Sequence, residues 1–418
     1  MKQKLRYFFL LITAVFLFQS CEEESNLSIY TTGDLKTDDV LFVGDDLMAG
    51  YSNFGWSKEK QENAFPVIFL NHLSNWKETP MRIPYLPGQV NTGGWKVSGF
   101  NWSNCTQSHK YPVFDSEGWN VNSLNQVFSD GPFNVIAIPQ LRLEQAQQTD
   151  LYYRNPFFHR LISPNSPDAN LFSLLQGRQP DLFVLHLGQN DLMRYALKGG
   201  VDAIGNPIQL MSNQEFEHQI DSIISLLKSD ENLGILVNIP LPEYLPYFHT
   251  VPNQFVDPQT CESTGIPYYI ETETGKVKEA GKWDKILLSV AGNLNRPSVS
   301  GGLIGMSETS PVPDEQVLDK EEYVFINNKA LEWNVILKMA AERHDLLYFD
   351  LNDLYQDIFF GERYYGANFS SEYLVGNFFD IDGISPLPRG QAMIANRMVE
   401  MLNREIHCQL PPIDILAY

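Results

Sequence analysis

The stretch V-L-F-V-G-D-D-L-M-A-G-Y, from Val40 to Tyr51, decides the fold. Its first four residues form a continuous apolar run, which is typical of a parallel strand buried on both faces. Gly44 then begins a turn that carries two carboxylates, Asp45 and Asp46. Open α/β folds bind their ligands where such strands end. The stretch therefore predicts a central strand followed by a functional turn.

Further apolar runs and helical patterns alternate along the rest of the chain. Buried-strand patterns recur at 134–139, 181–187, 233–239 and 346–350, and helical patterns at 62–73, 212–229, 320–343 and 388–406. Ser212 and Glu215 have the spacing of a capping box at the start of the second helix. The alternation predicts an α/β fold of three layers, with helices on both faces of a parallel sheet.

Two long segments interrupt this alternation, at 76–130 and 251–319. Both are rich in Gly, Pro, Asn, Ser and aromatic residues and have no sustained helical period. We interpret them as insertions in one domain, 39–418, at the end of the sheet where ligands bind. They are expected to build or cover a site.

The N-terminus has the pattern of an export signal. A basic M-K-Q-K-L-R is followed by about a dozen apolar residues and then Q-S-C, so 1–21 is predicted to be a signal peptide. The apolar part is shorter than the roughly 20 residues that a membrane-spanning helix needs. F-Q-S-C resembles a bacterial lipobox, which makes Cys21 the predicted lipid attachment site and 22–38 a tether. The predicted location is the outer membrane, with a lipid anchor, on the cell surface or the periplasmic face.

The charge and the remaining cysteines limit the partners. The chain has a formal net charge of −21, and loss of the basic signal makes the mature protein more acidic still. This argues against nucleic acid and anionic membrane surfaces as partners. Cys105, Cys261 and Cys408 allow one disulfide, and the sequence leaves the pair open. No C-x-x-C or His cluster indicates a metal, and no cofactor is predicted.

Four stretches in order resemble the blocks of the SGNH/GDSL hydrolases, in particular a Bacteroidetes-type lipoprotein branch of that family. They are G-D-D-L-M-A-G-Y from Gly44, G-P-F-N-V-I-A-I-P-Q-L-R from Gly131, L-H-L-G-Q-N-D from Leu185 and F-D-I-D-G-I-S-P-L-P-R-G from Phe379. The resemblance implies a flavodoxin-like three-layer fold. It also implies an esterase site at the carboxyl ends of the strands.

The residues that carry the family's chemistry are mostly replaced. The family uses a serine nucleophile, an Asp and His pair, and an oxyanion hole with a glycine N–H and an asparagine side chain. Matched to those blocks, the sequence keeps Asn190 and Asp382. It has Asp46 at the serine position, Gln140 at the glycine position and Ser385 at the histidine position. We therefore predict a vestigial site, and a degenerate member that acts in ligand binding or envelope assembly.

Other interpretations remain open at this point. An active esterase, acylhydrolase or carbohydrate esterase would need an altered site, and the oxygens of Asp46, Asp382, Asn190 and Ser385 would suit Ca²⁺ if a metal assisted it. His186 and His249 could supply a histidine from elsewhere, although each is more simply a core or loop residue.

Aromatic side chains near the predicted site suggest what it would bind. The aromatic residues in question are Tyr51, Trp56, Trp95, Phe100, Trp102, Tyr364 and Tyr365. Aromatic faces beside Asn and Gln suit glycans or lipid chains, so a small molecule, a glycan or a lipid is the expected ligand. Tyr51, Trp56 and His249 are the predicted ligand-binding residues. The resemblance also implies a partner protein in the outer membrane, which no residue specifies.

Overall fold

The computed structural model describes residues 31–33, 35–75, 81–88, 90–101, 111–117, 124–257, 260, 262–299 and 301–418. The predicted signal peptide, with Cys21, lies outside the described residues, as do Trp102, Cys105 and Cys261. Within the described ranges, no helix combines the length and the apolar character needed to cross a membrane.

Five parallel strands form the central sheet, and they are the five that the sequence predicts. They are β1 (Val40–Gly44), β2 (Val135–Ala137), β3 (Leu182–His186), β4 (Leu233–Val237) and β5 (Leu347–Phe349). Their order across the sheet is β5-β4-β3-β1-β2. This is the flavodoxin-like order, in which the second strand lies outside the first. The predicted fold class is confirmed.

Helices cover both faces of this sheet. The longer ones are α1 (Phe65–Ser74), α2 (Gln189–Ala196), α3 (Asn213–Leu227), α4 (Lys320–Arg343), α5 (Leu351–Phe360) and α6 (Pro388–Glu405). Helices α1 and α6 pack together in one layer, and α3 packs against α4 in the other. Ser212 caps α3 by accepting a hydrogen bond from the N–H of Glu215, as its spacing predicts.

Aromatic contacts show why the apolar runs become buried strands. Phe42 of β1 meets Phe65 and Phe69 of α1 edge to face, with ring centroids 6.0 and 5.8 Å apart. In the other helical layer, Phe216 of α3 stacks on Trp333 of α4 at 4.1 Å. Such pairs add to the free energy gained from apolar burial. The core therefore lies on both sides of the sheet.

Short elements make up the rest of the described chain. The short α-helices are Asp46–Ala49, Lys58–Glu62, Leu151–Arg154, Pro156–His159 and Leu171–Leu175. Single turns of 3-10 helix occur at Phe128–Asp130, Leu143–Gln145, Pro242–Tyr244, Pro246–Phe248, Leu288–Val290, Asp314–Gln316 and Ile415–Ala417. A small hairpin pairs Glu362–Tyr364 with Ala367–Phe369.

The two predicted insertions contain small antiparallel pairs. In 76–130, Gly94–Asn101 pairs with Tyr111–Glu117. In 251–319, Gln254–Val256 pairs with Ser263–Pro267, and Tyr269–Glu271 with Val277–Glu279. Lys285–Ile286 pairs with Val317–Leu318 in the same segment.

The chain segment that precedes β1 packs against the domain. The backbone of Thr31 pairs with that of Gln409, and the side chains of Leu35 and Thr37 are buried. The last residues of the segment predicted as a tether, 22–38, therefore pack on the domain.

A crevice opens where the chain leaves β1 and β3. These strands are adjacent, and Gly44 is in register with His186. From β1 the chain crosses to β2 on one side, whereas from β3 it crosses to β4 on the other. The diverging connections leave a gap at the ends of the two strands, the usual ligand site of such sheets.

Candidate functional site

A cavity of about 350 Å³ lies in this crevice. Five of the residues that line it are those matched to the hydrolase blocks, namely Asp46, Gln140, Asn190, Asp382 and Ser385. They come from four separate stretches of the chain. The fold therefore brings the predicted site residues together.

Asp46 stands at the start of the short helix that follows β1. The Oδ1 atom of Asp46 accepts a hydrogen bond from the backbone N–H of Gln140 at 2.5 Å. Burial, followed by the charge of Asp45, raises the pKa of Asp46 to about 7. Gly50 ends the helix with a φ of 68°, and a Cβ there would lie 2.3 Å from the carbonyl oxygen of Lys60. The turn therefore holds Asp46 in a fixed position.

Gln140 has a backbone conformation that favours glycine. Its φ is 59°, in the left-handed region. Its side-chain Nε2 donates to the hydroxyl of Tyr51 at 2.9 Å. Gln140 thus has a backbone conformation that glycine adopts without strain, and its N–H points toward Asp46.

Asn190 reaches the cavity from the first turn of α2. Gly188, with a φ of 103°, makes the turn into this helix. The Asn190 side chain donates to the carbonyl oxygen of Leu141 at 3.1 Å. Its amide also lies close enough to Asp46 to favour the charged form of that carboxyl.

Asp382 is buried, and backbone groups surround its carboxylate. It accepts the N–H groups of Asn53 at 2.7 Å, Ile384 at 2.9 Å and Ser385 at 2.8 Å. Burial raises the pKa of Asp382, and Asp380 raises it further. The Ser385 hydroxyl donates to a backbone carbonyl oxygen, that of residue 51, at 3.3 Å. The pair therefore stabilises the local loops.

Sequence reasoning missed the groups that hold this loop. Asn53, with a φ of 54°, donates from its side chain to Asp380 at 2.8 Å. Lys60 donates to the carbonyl oxygens of Ser52 at 2.5 Å and Gly55 at 3.1 Å. Burial lowers the pKa of Lys60. No motif marks either residue, since Asn53 acts through a contact with a distant segment and Lys60 through backbone oxygens of the loop just before it.

Behind the cavity lies a buried pair, Asp45 and His186. Burial raises the pKa of Asp45 to about 7, although the N–H groups of Asn190 and Leu47 oppose the shift. His186 Nε2 lies 3.8 Å from Asp45 Oδ1 and 2.9 Å from the side-chain oxygen of Gln189. Burial also lowers the pKa of His186. His186 does not line the cavity, so it is a core residue.

Two of the predicted ligand-binding residues lie elsewhere. Trp56 is buried against Phe157 and donates to the carbonyl oxygen of Ala49 at 2.7 Å. His249 packs on Phe359, and burial lowers its pKa to about 4. Both were predicted from their position after a strand, but apolar packing turns each away from the cavity. Tyr51 does line it.

Among the other predicted aromatic residues whose side chains the structure describes, Trp95, Tyr364 and Tyr365 do not line the cavity. Trp95 stacks on Phe114 and meets Phe54, which does line it. Tyr364 is buried and donates to Glu400. Among the described residues of 76–130 and 251–319, none lines the cavity. The described parts of these segments therefore supply no lining residue, and Trp95 contacts the lining residue Phe54 from outside the cavity; that the segments cover the site stays a prediction.

The described lining has neither a histidine nor a cluster of metal ligands. No histidine occurs among the cavity-lining residues that the structure describes. Within the same described ranges, no cluster of three or more His, Cys, Asp or Glu is arranged to hold a metal ion. The backbone N–H of residue 140 already donates to Asp46. The arrangement can hold a ligand, but it offers no nucleophile and base pair of the serine hydrolase type.

Comparison with known proteins gives no family assignment. No protein-family model and no curated protein matches the chain. One similar solved structure is LAE5, an alpha/beta hydrolase enzyme from the metagenome of Lake Arreo, Spain, at 11% identity over 87% of this chain and 94% of that one, with a TM-score of 0.36. Another is the extracellular lipase from Streptomyces rimosus, at 12% identity over 88% and 98%, with a TM-score of 0.32. At such scores the likeness does not indicate an activity.

Proposed function

We propose that this protein is a ligand-binding member of the SGNH/GDSL hydrolase-like group that does not hydrolyse esters by the family mechanism. The cavity at the ends of β1 and β3 would hold the ligand. The protein would bind this ligand, or act in envelope assembly, without converting it chemically.

The hydrogen bond between Asp46 and the N–H of Gln140 carries this proposal. In an esterase of this kind, that N–H would stabilise a developing oxyanion. Here its partner is a carboxylate of the protein itself, at 2.5 Å. A substrate oxyanion would have to displace that carboxylate and would meet its negative charge. The donor that catalysis requires is therefore already satisfied.

The cavity itself supports a binding role. Its walls include the apolar side chains of Leu47, Met193, Leu197 and Ile384. Tyr355 also lines it, and the Tyr355 hydroxyl is buried without a hydrogen-bond partner among the described residues. A buried polar group without a partner is costly and uncommon in folded proteins. A bound molecule or a water could supply the missing partner.

A blocked cavity tests the binding role. Leu197→Trp would place an indole on the cavity wall, whereas Leu331→Trp makes the same change at an exposed position of α4. Calorimetry of the wild type against glycans, alkyl glycosides and alkanols should show a ligand that Leu197→Trp loses and Leu331→Trp keeps. If no member of the panel binds the wild type, or if both variants bind alike, the proposal fails.

A carboxylate-based enzyme is the second candidate. The observation in its favour is the pKa of Asp46, which burial raises to about 7 in a cavity. A carboxyl group with such a pKa can act as a general acid or base near neutral pH. Turnover of glycosides or esters that follows one titration near pH 7, and that Asp46→Asn abolishes, would favour this candidate over simple binding.

We also propose that Cys21 attaches the mature protein to the outer membrane, where an outer-membrane protein would be its partner. The lipobox-like F-Q-S-C and the apolar segment before it support this attachment.

A further inference from the structure

We infer that the cavity takes an anionic amphiphile, a molecule with an apolar body and a carboxylate or phosphate head. The inference rests on the proposed binding function and names the ligand class. The observation behind it is a cluster of three cationic side chains, Arg142, Arg194 and Lys198, which line the cavity. We call these three residues the basic rim.

The basic rim carries more positive charge than its surroundings neutralise. Glu144 Oε1 accepts from Arg142 Nε at 2.6 Å and from Arg194 Nη1 at 3.0 Å. Among the described residues, no carboxylate forms an ion pair with Lys198. Three cations therefore share one carboxylate at ion-pair distance. Asp202 and the buried Asp191 lie near enough to interact electrostatically with Arg194 and Arg142, and Lys198 adds a further positive charge, in a chain whose formal net charge is −21. A local positive excess in an acidic protein selects an anion from solution.

Two members of the rim, Arg194 and Lys198, lie at the outer end of the cavity. Asn190 and Arg194 are four residues apart on α2, so they lie on one side of it, and Lys198 lies in the turn that follows the helix. Asn190 is partly buried, whereas Arg194 and Lys198 are exposed. At the usual helical rise, residues 190 and 196 of α2 are separated by about 9 Å along the axis. A head at the rim would leave that length of cavity for the body of the ligand.

The residues between the two ends suit an apolar body. Met193 and Leu197 point into the cavity from the same side as Arg194, and Leu47 and Ile384 line it too. At the inner end, Asp46 and Asp382 would repel an anion. This disfavours the reverse orientation, with the head at the floor, most strongly at a pH where both carboxyls are ionised. The charges therefore favour one class of ligand and one direction of binding.

Three probes of equal chain length separate the head from the body: dodecanoate, dodecanol and dodecyltrimethylammonium, each below its micelle concentration. We expect the full mature chain to bind dodecanoate in calorimetry about tenfold more tightly than dodecanol, because a charge-assisted contact adds to the same apolar burial. The ammonium probe should bind most weakly. Dodecyl phosphate should behave like dodecanoate.

The variants then test the residues. The double change Arg194→Gln and Lys198→Gln should weaken dodecanoate binding about tenfold and leave dodecanol unchanged. Lys36→Gln with Arg404→Gln is the matched control, because both are exposed cations that pair at the surface, with Glu231 and Glu405. The control should leave both affinities unchanged. Added salt should reduce the preference for dodecanoate in the wild type.

The outcomes separate this inference from the proposed function. If dodecanol binds as tightly as dodecanoate and the rim variant changes neither, the cavity binds apolar molecules and only the inference is overturned. Tighter binding of the ammonium probe would overturn it as well. If none of the four probes binds, and no glycan or alkyl glycoside of the panel binds either, the proposed function fails together with the inference.

Discussion

Asp46 is the residue on which the interpretation of the site depends. A carboxylate in a nucleophile's position could be a chance change in a turn. Its bond to the Gln140 N–H gives it a definite structural partner, and the Ser385 hydroxyl is likewise bound to a backbone carbonyl oxygen. Asp46 and Ser385 therefore form contacts with their own surroundings.

The raised pKa of Asp46 makes stability depend on pH. Between the usual aspartate pKa of 3.8 and about 7, the folded state binds more protons at this group than the unfolded state does. Stability is therefore expected to fall as the pH rises through this window. Asp46→Asn removes the titration, so the variant should gain about 1 to 2 kcal/mol relative to the wild type at about pH 8 and little at about pH 4.

Chemical denaturation across this pH range measures the difference. Asp168→Asn, at an exposed site, serves as the control for loss of one negative charge. If Asp46→Asn is less stable than the wild type at the higher pH, the carboxylate is favourable there and our account of its burial is incorrect.

At the scale of elements, the sequence was sufficient to predict the strands of the central sheet and the starts of some helices. The run at β1 is apolar at every position because both faces are buried, and Ser212 with Glu215 caps α3 by local contacts alone. The pattern did not predict α2, since it is short and its buried positions include Gln189 and Asp191. Local periodicity therefore predicts elements whose stability is local.

The cavity was only partly predictable for the same reason. The resemblance to the hydrolase blocks predicted five of the cavity-lining residues. Tyr355, Arg194 and Lys198, which also line the cavity, belong to no motif. They reach the cavity because α2 and α5 pack beside it. Trp56 and His249 were expected there, but Trp56 is buried against Phe157 and His249 packs on Phe359, outside the cavity lining. Which side of a loop faces the cavity depends on tertiary packing.

The turn into α2 should be sensitive to a single methyl group. A Cβ at Gly188 would lie 2.8 Å from the ring of Phe216 and 3.1 Å from Ile239, at a φ of +103°. Gly188→Ala should cost about 2 to 4 kcal/mol, because it adds steric overlap to backbone strain. Gly177→Ala is the control, since Gly177 also has a positive φ but open space around it, and should cost about 1 kcal/mol.

Urea denaturation of both variants compares these costs. Equal losses of stability would show that the contacts of Gly188 contribute nothing beyond its φ.

At the scale of the whole molecule, the flavodoxin-like strand order places the site. The crevice between β1 and β3 would exist with any side chains, since it follows from the diverging connections. The side chains decide only what the crevice does.

The attachment of the whole chain is a separate prediction. Cells that express the wild type and are fed a labelled fatty acid should yield a labelled protein in the membrane fraction. Cys21→Ala should abolish the label and release the protein from the membrane. Cys408→Ala, a change at a buried cysteine far from the lipobox, is the control and should retain the label. Label that persists in Cys21→Ala would contradict the proposed anchor.

The central claim is that Asp46 and its neighbours prevent ester hydrolysis in a cleft that would otherwise support it. The most direct measurement is hydrolysis of short-chain nitrophenyl esters by the mature wild type and by the triple variant Asp46→Ser, Gln140→Gly, Ser385→His. We predict no turnover above buffer for the wild type and measurable turnover for the folded triple variant, since nucleophile, base and oxyanion donor are then restored. The contradicting result would be ester hydrolysis by the wild type that Asp46→Asn abolishes, together with a triple variant that folds but hydrolyses no ester.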